Sequence, residues 1–177
     1  GRANKFFLKF CKKIFSYNKK LKNFPNEYLY KIKIIPPLVR KKFFENNQLN
    51  IENEKFCCLV VGGSQGSKIF DNIIQDVIIS LSKIHRIKII QQTKQSNIGN
   101  LKKVYEDVNI ENVIFDFREN FVDLIKESDL CITRAGATTL AEISTMNKPF
   151  LAVPLKSSKD NHQHELSLIH ISEPTRL

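Results

Sequence analysis

At 177 residues and 42% hydrophobic, the chain can bury one good core and hardly two, so one domain with an appendage is expected. Lysine and arginine outnumber aspartate and glutamate 28 to 18, yet residues 1–44 hold 13 of the basic groups and one acid, Glu27, leaving 15 basic against 17 acidic groups from Glu45 onward. The near-neutral body argues against nucleic acid as a partner, and no apolar run reaches membrane-spanning length, while the cationic arm suits phosphates or an anionic membrane surface.

In chain order, residues 4–16 place Phe6, Phe7, Phe10, Cys11 and Ile14 on one helical face and Lys5, Lys9, Lys12 and Lys13 elsewhere. This periodicity predicts a cationic amphipathic helix, either packed on its own domain or laid against a membrane. A short strand is expected at Tyr30–Ile35, stopped by Pro36-Pro37, which opens a linker. FCCLVV at Phe56–Val61 is a continuously apolar run of the kind buried on both faces of a parallel sheet. Ile69, Phe70, Ile73, Ile74, Val77, Ile78 and Leu81 then repeat at helical spacing.

Ile87–Gln92 predicts a second strand, followed by a polar helix near Leu101–Asp107. Val113–Phe117 predicts a third strand, with Asn120 as N-cap of a helix carrying Phe121, Leu124 and Ile125. Asp129–Thr133 is a fourth strand, Thr139–Met146 a helix and Pro149–Pro154 a fifth strand. Strands alternating with helices imply an α/β fold, a parallel sheet with helices on both faces, whose ligands sit at the carboxyl ends of the strands.

Two turns lie at such ends: VGGSQGS at Val61–Ser67 and TRAGATTLAE at Thr133–Glu142. Glycine-rich turns that open helices offer unpaired N–H groups and a positive dipole end to a phosphate. The first turn has neither the Gly-Lys-Ser/Thr of a P-loop nor G-x-G-x-x-G spacing, and alone would also serve as a plain strand-to-helix connection. Thr139 and Glu142 also read as a Thr-x-x-Glu capping box, and Arg40 and Arg134 as surface cations. His162, His164 and His170 fit a polar stretch better than a metal site, and no metal is expected. Cys11, Cys57, Cys58 and Cys131 lack metal-ligand spacing and are expected as reduced thiols of a cytosolic protein, without a signal peptide.

PPLVR at Pro36–Arg40, GGSQGS at Gly62–Ser67, QQT at Gln91–Thr93, FREN at Phe117–Asn120, SDLCITRAGATTLAEI at Ser128–Ile143 and DNHQ at Asp160–Gln163 occur in one order. Together they resemble the C-terminal half of the MurG-type glycosyltransferases, enzymes of two Rossmann-like domains (GT-B architecture). The resemblance implies inverting transfer of N-acetylglucosamine from UDP-N-acetylglucosamine to lipid I, an undecaprenyl-linked acceptor, giving lipid II for peptidoglycan. It also implies no cofactor, and a peripheral location on the cytoplasmic side of the inner membrane, met through the basic N-terminal helix.

Position by position, the resemblance implies Arg40 and Ser64 near the donor diphosphate and Ala137, Thr138 and Thr139 at the α-phosphate. Glu142 would hold the ribose hydroxyls, Gln163 those of the sugar, and the backbone at Arg118 the uracil. The linker departs from the family's usual Gly-Asn-Pro-Val-Arg but keeps the arginine. The family's N-terminal glycine-rich loop and its histidine, which serve the acceptor and base catalysis, have no counterpart here, so no catalytic residue is assigned and the chain alone is expected to be inactive.

Residues 1–39 are expected to be the end of an acceptor domain plus linker, and residues 40–165 a UDP-sugar-binding domain incomplete at both ends. Leu166–Arg176 is similar to a translated sequencing-library adapter, so 166–177 is expected to be non-native. The chain opens on Gly1 without an initiator methionine, as the interior of a longer protein would. Two other readings remain open: another GT-B nucleotide-sugar transferase, and a non-catalytic basic adaptor for membrane or RNA.

Overall fold

The computed structural model describes residues 2–17, 21, 23–44, 54–62, 67–134 and 136–153. Contacts divide the chain into two compact units, 1–38 and 39–177.

In the first unit, α1 spans Arg2–Phe7, β1 Ile14–Ser16 and β2 Ile32–Ile34, with a 3-10 helix at Asn26–Lys31. The helix expected over Asn4–Ser16 therefore stops after its first turns, where the Cys11 N–H closes onto the Phe7 carbonyl. Ile14–Ser16 pairs in parallel with β2 instead, Ile14 opposite Ile32 and Ser16 opposite Ile34. A short helix is marginal by itself, and β-branched Ile14 beside Phe15 suits a strand once a partner is present. The strand expected at Tyr30–Ile35 shrinks to three residues because the chain leaves Pro25 in a tight 3-10 turn, with the Tyr28 N–H on the Pro25 carbonyl. Among the described side chains at and just after α1, Leu8 is buried, while Phe6, Phe7 and Phe10 are exposed.

The second unit holds one five-stranded parallel sheet: β3 (Phe56–Val61), β4 (Ile87–Gln92), β5 (Glu111–Phe115), β6 (Leu130–Thr133) and β7 (Phe150–Ala152), in the order β5-β4-β3-β6-β7. The third strand begins two residues earlier than Val113, a boundary shift of ordinary size. Its helices are α2 (Ser67–Ser82), α3 (Ile98–Asp107), α4 (Phe121–Glu127) and α5 (Ala137–Thr145).

Alternation along β3 divides the core. Cys58 and Val60 pack with Phe70, Ile74 and Ile78 of α2 and with Leu101 and Tyr105 of α3. Cys57 and Leu59 face the other way, toward Phe43, Val122 and Ile125 of α4 and Ile143 of α5. Helices thus cover both faces, which is why the central strands are apolar throughout. Burial pushes the Cys57 and Cys58 thiols up to about 12, so they act as small hydrophobes.

Beyond the ends of α3 and α5 stand Asn109 (φ 56°) and Asn147 (φ 52°). Asparagine tolerates this left-handed region, which stops a helix where a strand must begin. Asn120 does occupy the N-cap of α4, but its side chain makes no capping bond.

Candidate functional site

The strand order reverses between β3 and β6, and at such a point the two following connections part to opposite faces and leave a crevice. Val61 lies opposite Thr133 in the register, and the Arg134 N–H donates to the Val61 carbonyl at 3.3 Å. The carboxyl ends of β3 and β6 therefore lie side by side. Gly62 is buried at the end of β3. Ser64 lies outside the described residues, as do Gln163, His162, His164, His170 and the 166–177 tail.

The second turn is described more fully. Gly136 is the N-cap of α5 at φ −84° and ψ 126°, and its carbonyl accepts the Leu140 N–H at 3.0 Å. Ala137, Thr138 and Thr139 are consequently the first three helical residues, whose N–H groups point out of the helix end. Ala137 and Thr138 are exposed and Thr139 is half-buried. The capping box is corrected by this geometry: Thr139 is the third residue of the helix, too far along it to cap, and no side chain caps α5.

Glu142 has a different partner. Its side chain is buried, and Oε1 accepts a hydrogen bond from Arg40 Nε at 2.7 Å. Arg40 also places its guanidinium 5.1 Å from the ring centroid of Phe43, a fully buried residue that anchors this segment in the core. Two residues after Arg40, Lys42 Nζ donates to the Glu119 carbonyl at 2.9 Å. The Arg40–Phe43 segment thereby links α5 to the turn after β5, where Arg118 is exposed beside exposed Phe117. Arg40, Arg118, Ala137, Thr138, Thr139 and Glu142 accordingly stand at one end of the sheet.

Arg134 is a buried cation, which corrects its reading as a surface cation. Its guanidinium stacks 4.4 Å from the Phe70 centroid and reaches toward the Val153 carbonyl at 3.5 Å, and burial lowers its pKa.

A buried polar cluster joins α2 to the end of β4, a unit absent from the sequence reading. Buried Asp71, in α2, accepts hydrogen bonds from Thr93 Oγ1 at 2.8 Å, Asn97 Nδ2 at 3.1 Å and Gln91 Nε2 at 3.3 Å. The Tyr105 hydroxyl donates to Gln91 Oε1 at 2.7 Å. Asp71 accepts all three of these bonds and so orients the Thr93, Asn97 and Gln91 donors. Burial raises the Tyr105 pKa, which keeps its proton available for that bond. The signal was present in the sequence: Asp71 falls at helical spacing with Ile74 and Ile78, on the buried stripe, where a charge needs partners.

Among the described residues, no group of three or more His, Cys, Asp or Glu could hold a metal, and no helix is long and apolar enough to cross a membrane. Chemically, the crevice offers outward N–H groups at a helix end, one arginine and one buried carboxylate, a set suited to an anion joined to a diol.

Comparison with known proteins agrees in kind. The model of the glycosyltransferase family 28 C-terminal domain matches residues 57–167. The chain is 48% identical over 165 residues to the UDP-N-acetylglucosamine--N-acetylmuramyl-(pentapeptide) pyrophosphoryl-undecaprenol N-acetylglucosamine transferase of Pelagibacter ubique, covering 93% of this chain and 46% of that protein. It is 34% identical to the enzyme of the same name from Rickettsia canadensis, covering 93% of this chain and 48% of that one. The crystal structure of Acinetobacter baumannii MurG superposes with a TM-score of 0.69 at 25% identity, covering 97% of this chain and 48% of that chain. The chain thus spans about half the length of the curated relatives it matches.

Proposed function

Because the chain belongs to the glycosyltransferase family 28 C-terminal domain family, we propose that its second unit is the donor-binding half of an inverting hexosyltransferase. The reaction is transfer of N-acetylglucosamine from UDP-N-acetylglucosamine to lipid I, giving lipid II. The observation that carries this reading is the α5 helix end beside the β3 turn, with the Arg40–Glu142 pair next to it.

In this reading the N–H groups of Ala137, Thr138 and Thr139 meet the diphosphate together with Arg40 and Ser64. Glu142 accepts from the ribose hydroxyls, Gln163 contacts the sugar, and the Arg118 backbone meets the uracil. The acceptor hydroxyl attacks the anomeric carbon from the face opposite UDP, which departs with the bonding electron pair. The helix end and Arg40 stabilise the negative charge that grows on the leaving diphosphate. The base that takes the acceptor proton belongs to the acceptor side of the active site, so this chain alone binds donor and does not turn over. Residues 1–39 form the end of that acceptor side and the linker.

The exposed Phe6, Phe7 and Phe10 among Lys5, Lys9, Lys12 and Lys13 fit the anionic cytoplasmic face of the inner membrane, a peripheral contact. Calorimetric titration of the 177-residue chain with UDP-N-acetylglucosamine, with and without chelator, tests the donor reading. Binding that persists in chelator and exceeds that of inorganic diphosphate and ADP is expected; equal binding of all three anions would reject it.

A further inference from the structure

We propose that Arg40 is a positioning residue for Glu142 as well as a diphosphate ligand, so that the ribose and diphosphate ends of the donor are recognised by one coupled unit. This rests on the UDP-sugar reading above. The two side chains differ in a way that assigns the roles: that of Glu142 is 4% exposed and that of Arg40 is 52% exposed. The carboxylate is thus the enclosed member, and the guanidinium is the member that reaches from the crevice to it.

The contact uses Nε and Oε1 alone. Among the described residues no hydrogen bond is recorded to Glu142 Oε2 or to the terminal nitrogens of Arg40. A single Nε bond restrains the carboxylate through Oε1, and in this reading Oε2 and the two terminal amino groups serve the ligand.

The arginine is itself held. Its guanidinium stacks on Phe43 at 5.1 Å, the Phe43 N–H donates to the Arg40 carbonyl at 3.0 Å, and the neighbouring Lys42 is tied to the Glu119 carbonyl at 2.9 Å. Removing Arg40 would leave the Glu142 carboxylate free to rotate on its last torsion, which is broad and weakly restrained. Loss of the diphosphate ligand would then be accompanied by loss of ribose discrimination, although this reading gives Arg40 to the diphosphate and not to the ribose.

A protein–ligand cycle separates this from an arginine that acts on phosphate alone. UDP and 2′-deoxy-UDP are titrated into the wild-type 177-residue chain and into Arg40→Ala, Arg40→Lys and Glu142→Gln. The wild type is expected to prefer UDP by about tenfold, the scale of one hydrogen bond to a charged group. In Glu142→Gln and Arg40→Ala the preference falls to within about twofold, and Arg40→Lys, whose ammonium still reaches the carboxylate, recovers part of it. Both ligands meet the same preparation, so a lowered folded fraction cancels from the ratio.

An Arg40→Ala chain that binds UDP more weakly yet keeps the wild-type preference overturns the coupling and leaves the donor reading intact. A wild-type chain that binds no UDP overturns both.

Discussion

The Thr93 hydroxyl donates to Asp71 Oδ2 at 2.8 Å, joining the end of β4 to the second turn of α2. Through this bond the helix that opens at the first glycine turn is keyed to the strand beside it. Replacing Asp71 by Ala strips the acceptor from Thr93, Gln91 and Asn97 at once, and unsatisfied buried donors cost about 1–3 kcal/mol each, non-additively. A loss of about 3 kcal/mol is expected for Asp71→Ala and about 1 kcal/mol for Asp71→Asn, which keeps one acceptor oxygen. Urea denaturation with unchanged slope measures both.

Ala137→Pro removes one N–H from the α5 helix end while sparing the helix. Proline suits the first helical position, and Gly136 before it has the extended φ −84° and ψ 126° that proline requires of its predecessor. The melting temperature should stay within about 2 °C of wild type. UDP affinity should fall roughly tenfold, the scale of one hydrogen bond to a charged group. Calorimetry and a thermal melt on one sample test the pair of outcomes.

Neighbouring residues on α2 should respond oppositely. Ile78 is 2% exposed and Val77 44% exposed. Ile78→Ala should cost about 3 kcal/mol through lost transfer energy and the cavity left behind. Val77→Ala should stay within about 0.5 kcal/mol of wild type. Chemical denaturation of both variants reads the buried face of the helix directly.

Thiol labelling should follow burial. With Cys57 and Cys58 both pushed up to about 12 by desolvation and the Cys131 thiol also raised, little thiolate exists at any of them near neutrality. Half-buried Cys11 should react first with iodoacetamide in the native chain, and all four should react in denaturant. Mass spectrometry of timed samples checks the order.

Acid sensitivity should involve Glu111, whose oxygens pair with Lys55 at 2.6 Å and Lys88 at 2.9 Å. The hydrogen bonds from Lys55 and then Lys88 lower its pKa. A carboxylate with a depressed folded pKa contributes stability above the unfolded value, and that stability is lost as pH falls through the folded value. Glu111→Gln should therefore be less stable than wild type at neutral pH, with the two melting curves converging below the ordinary carboxylate range.

The sheet was legible because each central strand is a short apolar run between turn residues, a pattern set by burial on both faces. Helix α2 was legible as an element and less so as a surface: Ile73, Val77 and Leu81 share the apolar stripe with Ile74 and Ile78 yet are exposed. In the first unit local periodicity misled, since the β1–β2 pairing that converts Ile14–Ser16 into a strand joins residues distant in sequence. Glu142 shows the same limit at the site. Thr139 three residues earlier offered a local explanation, whereas its observed partner, Arg40, is 102 residues away.

Of the neighbouring pairs in the five-stranded sheet, β3 with β6 closes across the longest stretch of chain, because β4 and β5 intervene in sequence. Closure entropy grows with that separation, and pairings between distant segments are intrinsically slow to form. The strand ends that lead into the two glycine turns are brought together by this one pairing. A partly folded chain holding β3, β4 and β5 with α2 and α3 would have a core and lack the β3–β6 junction where the donor is proposed to bind. If the proposed nucleotide binds across the ends of β3 and β6, it would act as a clasp on this long-range seam, slowing unfolding more than it speeds folding.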